Sequence, residues 1–342
     1  VICSPSPIFC MLNPVRNTLK PCPELVGGVR EWNLATRRAV TSESEPTKKT
    51  VSLYRKILIL LVIALLGGCA SFTYNRLDWL IPWYVDGYVD LTGEQRALLR
   101  EQLTPGLKWH RSEELARYIE ILDRIEADLA PPVEPATVRA WADDILAAAE
   151  RVEKTMLGVA LEFGAEVSDE QVVEFIANLW KRQHELEEEF LERSDTEYAE
   201  DDFDNLYDFL KRFLGRLNAE QQAFLREAAN GLVRFDKAWL KDRRNWLRTL
   251  EDLLQRESGW QEAVMQAYEA RIALRSPESR EAFEHNMGLI TRAYAKVLSS
   301  MTERQEEKAR DEIEDLRRMI RKLMERPETA QRDVSALLPA LA

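Results

Sequence analysis

The sequence predicts an all-α fold, an elongated multi-helix bundle, and three observations lead to this prediction. Apolar residues recur at spacings of three and four along most of the chain after Asp90, which is the period of an amphipathic helix. Glycine and proline are confined to a few joints between these segments, where helices end. No segment shows the alternation of apolar and polar residues that indicates a half-buried strand.

The periodic segments predict a series of helices. Their expected ranges are 92–103, 105–129, 136–163, 169–193, 203–215, 218–257, 259–274, 277–300 and 303–325. The segment 218–257 would form a helix about 60 Å long at about 1.5 Å per residue. It is the main reason to expect an elongated bundle.

The joints between helices carry recognisable signals. Thr104-Pro105 and Ser276-Pro277 each place a capping hydroxyl before a proline, which suits the first turn of a helix. The acidic run 194–205 is expected to be a mobile loop.

A short pattern recurs at four expected helix starts: an apolar residue, a residue with a capping oxygen, and Gln three positions later. It occurs at Leu91 to Gln95, Val167 to Gln171, Leu217 to Gln221 and Met301 to Gln305. The pattern predicts capping boxes, in which the cap and the Gln bond each other's backbone N–H. The starts are unequally spaced, so they do not indicate a regular solenoid.

The stretch from Tyr54 to Ala70 has the layout of an export signal. Arg55 and Lys56 precede an apolar run of ten residues, 57–66, and two glycines precede Cys69. At about 15 Å of helix, the run is too short for a permanent span, which needs about twenty residues.

Leu66 to Cys69 resembles the lipobox of bacterial lipoproteins. The resemblance implies diacylglycerol on the Cys69 sulfur, cleavage before Cys69 and a third acyl chain on the new amino terminus. Ala70 and Ser71 follow Cys69, where an Asp would imply retention at the inner membrane. We therefore expect attachment to the outer membrane, facing the periplasm, with inner-membrane retention as the alternative.

The expected organisation has five parts. Residues 1–50 form a disordered leader from a mis-assigned start, with translation beginning near Val51 or Leu53. The signal peptide is 51–68, the lipidated anchor and aromatic linker 69–90, the helical domain 91–326 and the tail 327–342. Three of the four cysteines fall in the leader, so no disulfide is expected in the mature chain.

Charge limits the partners. Of the 47 basic and 59 acidic residues, 38 and 55 follow the predicted cleavage site, a net charge of −17. Such a balance repels nucleic acid, whose binding depends on Lys and Arg. On electrostatic grounds, a basic client, a cation or another envelope protein is a more favourable partner. The membrane that holds Cys69 is a further expected partner.

An aromatic stretch follows the predicted anchor. It offers a candidate partner-binding set of Tyr74, Asp78, Trp79, Trp83, Tyr84 and Asp86. Trp, Tyr and flanking carboxylates are typical of interfaces. The alternative is an amphipathic segment that packs on the helical body or lies at the level of the lipid headgroups.

Catalytic, cofactor and metal sites are not expected. The histidines, His110, His184 and His285, are far apart. His184 with Glu188 and Glu281 with His285 stand four residues apart on helix faces, which chance explains in so acidic a chain. The P-loop, HExxH and GxSxG motifs are absent. A pair of carboxylates for glycan hydrolysis would leave no fixed sequence spacing, so a cell-wall hydrolase stays open.

Two further resemblances bear on function. Leu91 to Gln95 matches the LTxxQ motif of the Spy and CpxP family of helical periplasmic stress proteins, and Leu217 to Gln221 and Met301 to Gln305 match it loosely. This resemblance implies a chaperone role. From the lipobox through residues 74–79, 83–84 and 91–92, the chain resembles uncharacterised proteobacterial lipoproteins with a domain of unknown function. We expect a non-enzymatic, lipid-anchored envelope protein with a binding or structural role.

Overall fold

The computed structural model describes residues 73–325. From Arg76 on, these residues belong to one compact unit. Its helices, numbered in chain order, are α1 Leu77–Asp86, α2 Gly93–Trp109, α3 Leu115–Asp128, α4 Pro135–Gly164, α5 Asp169–Leu191, α6 Asp195–Leu214, α7 Ala219–Gly231, α8 Asp236–Leu253, α9 Trp260–Ala270, α10 Pro277–Ser299 and α11 Glu303–Met324. A π-helical turn, His110–Glu114, joins α2 to α3. No strand occurs between residues 73 and 325, and the predicted all-α, multi-helix fold is confirmed.

Several predicted segments lie outside the described residues. They are the leader 1–50, the signal peptide 51–68, the lipidation site Cys69 and the tail 327–342. Within 73–325, no helix has both the length and the apolar composition that crossing a bilayer requires.

The core has one large cluster and smaller ones at its sides. In the large cluster α4, α6, α7, α10 and α11 contribute buried apolar side chains, among them Trp141, Leu210, Leu225, Val297 and Ile313. A second cluster joins α1 and α2 to α4 through Leu99, Leu103 and Phe163, with Ile81 and Val85 packed against it. A third joins α5 to α8 through Leu179 and Leu247. Burial of this kind, more than intrinsic propensity, stabilises helices in proteins.

The predicted break at Thr104 and Pro105 is wrong. The helix α2 continues through Pro105 to Trp109, and the Thr104 hydroxyl donates to the Arg100 carbonyl (3.0 Å) instead of capping a new helix. Leu103 and Gly106 are buried on either side of the proline, and this packing offsets the hydrogen bond that proline removes. The regular helix is interrupted five residues later, in the π turn.

The predicted mobile loop at 194–205 is also wrong, since Asp195 begins α6. The Ser194 hydroxyl accepts from the Glu197 N–H (3.2 Å), and the Glu197 carboxylate accepts from the Ser194 N–H (2.8 Å). Carboxylates in the first turn also stabilise the helix, because they interact with the positive end of its dipole. The acidic segment that suggested a loop therefore forms the start of a helix.

The predicted helix 218–257 is two helices, because α7 ends at Gly231 and α8 begins at Asp236. Both backbone groups of Val233 in the gap bond the side chain of Asn286 on α10, at 2.8 Å each. Asn286 replaces the bonds that a continuous helix would make at this point. The expectation of one helix about 60 Å long is therefore wrong.

Several predicted helix starts are confirmed. Thr92, Ser168, Asn218 and Thr302 all form capping boxes with the Gln three residues on. Ser276 accepts from the Ser279 N–H (3.3 Å), with Pro277 as the first residue of α10.

Candidate docking surface

The helix α1 is apolar on both of its sides. Its inner side packs on α2, with Pro82 fully buried and Ile81 and Val85 against the second core cluster. A helix that is apolar all round is ordinarily buried on all sides. One side of α1 is instead left open.

Three large aromatic side chains occupy this open side. Trp79 is 51% exposed, Trp83 60% and Tyr84 55%. The two tryptophans are four residues apart, so they lie one above the other on the same face of the helix. We call these three residues the aromatic face of α1. Such rings combine an apolar body with a polar group, which suits a contact with one apolar and one wet side.

Asp86 does not belong to this face. Its Oδ1 atom accepts from the Leu91 N–H (3.1 Å) and from Nε (3.1 Å) and Nη2 (2.7 Å) of Arg96. The Arg96 guanidinium holds the pKa of the Asp86 carboxyl below its usual value. Asp86 therefore fastens the end of α1 to the start of α2.

The end of α1 is held on α5 as well. The Tyr84 and Tyr88 hydroxyls lie 3.2 Å apart, and the Tyr88 ring meets that of Phe175 edge-on. The Asn178 amide donates to the Tyr88 carbonyl (2.9 Å). Burial raises the pKa of Tyr88 to about 12. The aromatic face thus belongs to a helix that contacts with α2 and α5 hold in place.

Of the remaining predicted docking residues, Tyr74 precedes α1 and Asp78 lies in its first turn; both are half-buried. The structure thus leaves Trp79, Trp83 and Tyr84 exposed on the open side of α1, with Tyr84 at the edge of that side. It gives Asp86 an internal partner.

The recurrent glutamines have a second role, which the sequence pattern did not reveal. Gln95 and Gln171 exchange two amide hydrogen bonds of 2.8 Å between the starts of α2 and α5. Each also donates to the backbone carbonyl two residues before the other's cap, at Glu166 (3.2 Å) and Asp90 (2.6 Å). We call this reciprocal arrangement an amide lock.

A second amide lock joins the starts of α7 and α11. Gln221 and Gln305 exchange two bonds of 3.0 Å and donate to the carbonyls of Ser300 (3.2 Å) and Arg216 (3.1 Å). Both glutamines are buried. Their amides are fully engaged inside the chain, so they do not line a surface that could receive a client protein.

A charged cluster lies where α5, α6 and α8 meet. The Arg234 guanidinium donates to both carboxylate oxygens of Asp236 (3.1 and 3.0 Å), to Asp195 (2.9 Å) and to the carbonyls of Phe190 (2.9 Å) and Arg193 (2.7 Å). Asp236 is nearly buried, and a buried charge requires such partners.

Asp202 is the unusual member of this cluster. Its Oδ2 atom is buried and makes no hydrogen bond within the part of the chain that the structure describes. Burial raises the pKa of Asp202 to about 7, against the attraction of Arg193 and with the repulsion of Asp201 and Asp236. Sequence reasoning missed this group because it falls in the predicted acidic loop, and nothing in an acidic run marks one carboxyl as buried.

The histidines do not converge. His184 contacts Glu188 (3.2 Å) on an exposed helix face, His285 contacts the Gly231 carbonyl (3.1 Å), and His110 contacts the Tyr118 hydroxyl (3.3 Å). Between residues 73 and 325, no three His, Cys, Asp or Glu side chains are grouped so that they could hold a metal ion.

Comparison with known proteins adds a family but no activity. No curated protein and no solved structure matches the chain. A family model described as a family of unknown function, DUF6279, matches residues 87–280. The match begins directly after α1, so the aromatic face lies outside it. Because this range covers more than half of the sequence, the chain belongs to the DUF6279 family.

Proposed function

We propose that this protein is a lipid-anchored, non-enzymatic helical protein of the cell envelope. It is attached through Cys69 to the outer membrane and faces the periplasm, where it binds an envelope component through the aromatic face of α1. The sequence supports the anchor, since a basic pair, an apolar run and two glycines precede Cys69 in the order of a lipoprotein signal.

One observation carries the binding role. Trp79, Trp83 and Tyr84 are all more than half exposed on one face of a helix that follows Cys69 by only a few residues. Aromatic side chains of this kind are enriched at binding surfaces. Because they lie close to the anchor in sequence, these side chains are near the membrane and can contact a component of the envelope.

The anchor is tested by substitution of its cysteine. Cells expressing Cys69→Ala should accumulate a precursor or lose the protein from the outer-membrane fraction, and a palmitate analogue should no longer label it. Ser71→Ala, two residues on, is the matched control and should keep both the label and the fractionation. Labelling that persisted in Cys69→Ala would refute the proposal.

A hydrolase is the second candidate, and one observation favours it. Burial raises the pKa of Asp202 to about 7 in the cluster that also contains Asp236, and a carboxyl group with a raised pKa is typical of a general acid. Against this, Asp236 is engaged by Arg234. Release of soluble fragments from purified peptidoglycan by the wild type, abolished in Asp202→Asn and Asp236→Asn, would establish the hydrolase instead.

The chaperone function implied by the LTxxQ resemblance is the third candidate. Its test is suppression of aggregation of a model client at a several-fold excess of the protein. Because the glutamines are engaged in the amide locks, we expect no suppression.

A further inference from the structure

We infer that the aromatic face of α1 lies in the phospholipid headgroup layer of the membrane that carries the lipid anchor. The helix would then hold the helical body in a fixed orientation on that membrane. This inference rests on the proposed function, because it requires the acylated Cys69. It names the envelope component that the face binds.

The length of the chain between the anchor and α1 is the first argument. Seven peptide units separate Cys69 from Arg76, and they reach at most about 25 Å when fully extended. Trp79 follows within the first turn of α1. With the Cys69 acyl chains in the bilayer, the aromatic face is always close to the membrane surface.

The area of the face is the second argument. A Trp or Tyr side chain buries roughly 150–250 Å², so three side chains that are 51–60% exposed offer on the order of 300 Å². A stable protein interface needs about 800 Å² from each partner. The face is therefore small for a protein partner. It is sufficient for a membrane contact, because the tether supplies a high effective concentration.

Residue type and charge provide the third argument. Trp and Tyr are enriched at membrane–water interfaces, where their rings lie at the level of the headgroups. The carboxylate of Asp86 at the end of α1 is paired with Arg96, and Asp78 in the first turn is half-buried. A mature chain with net charge −17 is repelled by anionic lipid, so a zwitterionic headgroup layer is the fitting surface.

The experiment uses the mature protein, lipidated at Cys69, in vesicles of zwitterionic phosphatidylcholine. A fraction of the phosphatidylcholine carries a spin label on its headgroup. Tryptophan fluorescence is compared between wild type and the double variant Trp79→Phe with Trp83→Phe, which keeps an apolar ring at both positions. The matched control is Trp239→Phe, because Trp239 packs on Phe190 within the helical body.

We expect headgroup quenching in the wild type and in Trp239→Phe, and its loss in the double variant. Circular dichroism checks that all three proteins are equally folded. Equal quenching in the double variant and the wild type would overturn the inference. So would shielding of Trp79 and Trp83 from an aqueous quencher by an added envelope protein and not by vesicles, which would assign the face to a protein.

Flotation separates the two levels of the proposal. If the wild type does not float with the vesicles, or carries no acyl chain by mass spectrometry, the lipid anchor fails and with it the proposed function. If it floats and the tryptophans are not quenched, the anchor stands and the membrane contact of α1 is wrong.

Discussion

At the scale of single residues, Asp202 shows how strongly burial alters a group that the sequence presents as ordinary. It is one of several acidic residues in a row, yet its Oδ2 atom is buried among Arg193, Tyr198 and Asp236. The guanidinium of Arg193 lies 4.5 Å from the Phe190 ring centroid and 5.4 Å from that of Tyr198. Burial of the Asp202 carboxyl thus excludes the water that would favour its ionised form.

This environment makes a prediction about stability and pH. The Asp202 pKa, about 7, is above the value near 3.9 of an unfolded Asp. The folded protein therefore holds a proton that the unfolded chain has released, and this contribution to stability is present at low pH and lost as pH rises through about 7. The wild type should therefore lose free energy of unfolding between pH 5 and pH 8.5, and Asp202→Asn should not. Over this range, the free energy of unfolding of Asp202→Asn should rise relative to that of the wild type by roughly 1–3 kcal/mol.

Urea unfolding at several pH values measures this change. Asp204→Asn replaces an exposed carboxyl on the same helix and serves as the control, which should follow the wild-type pH dependence. Parallel curves for Asp202→Asn and wild type would contradict the prediction.

At the scale of helices, the positions where helices end depend on hydrogen bonds from side chains that are distant in sequence. The gap between α7 and α8 depends on Asn286, which is buried on α10 and bonds both backbone groups of Val233. The Gly231 carbonyl is also within 3.1 Å of Nε2 of His285. Local sequence could suggest an end at Gly231, but it could not show which distant groups satisfy the open backbone.

Substitution of Asn286 tests this account. Asn286→Ala leaves the N–H and C=O of Val233 without their partner, which should lower the free energy of unfolding by about 1–3 kcal/mol. Asn286→Asp keeps an acceptor for the N–H but loses the donor to the carbonyl, so it should also destabilise. Chemical denaturation gives both values.

The control for this prediction is Asn245→Ala, at an exposed position on α8, which should change stability by less than about 0.5 kcal/mol. If Asn286→Ala were as stable as this control, the bonds to Val233 would not hold the joint.

At the scale of the whole molecule, the two amide locks connect helices that are far apart in sequence. One pairs the start of α2 with that of α5, and the other pairs the start of α7 with that of α11. Each glutamine closes its own capping box and at the same time bonds its counterpart. A single residue type thus satisfies helix ends locally and fixes helix pairing globally.

Double-mutant cycles test the locks as pairs. Gln221→Ala and Gln305→Ala should each lower the free energy of unfolding by about 1–3 kcal/mol. The double variant should lose less than the sum of the two single losses, by about 0.5–3 kcal/mol, because the first substitution already breaks the shared bonds. Gln95 and Gln171 should show the same coupling.

The cross-pair of Gln95 and Gln221, one from each lock, is the control and should be additive within about 0.5 kcal/mol. Additive costs within either lock would show that the glutamines act only as caps. The free energies come from urea unfolding of the single and double variants.

The sequence by itself determined the fold class and most helix starts, and it named the three residues of the aromatic face among six candidate docking residues. These are local properties, because apolar period, capping oxygens and side-chain type can be read from a few neighbouring positions. Four capping boxes were predicted from their spacing alone, and all four form.

Only the tertiary structure decided the rest, because burial and long-range partners have no local signature. Packing carried α2 through Pro105, and Asn286 divided one periodic stripe into α7 and α8. Packing also buried one side of α1 and left its aromatic face exposed. It joined the capping glutamines in pairs, which none of the four sequence patterns could reveal alone.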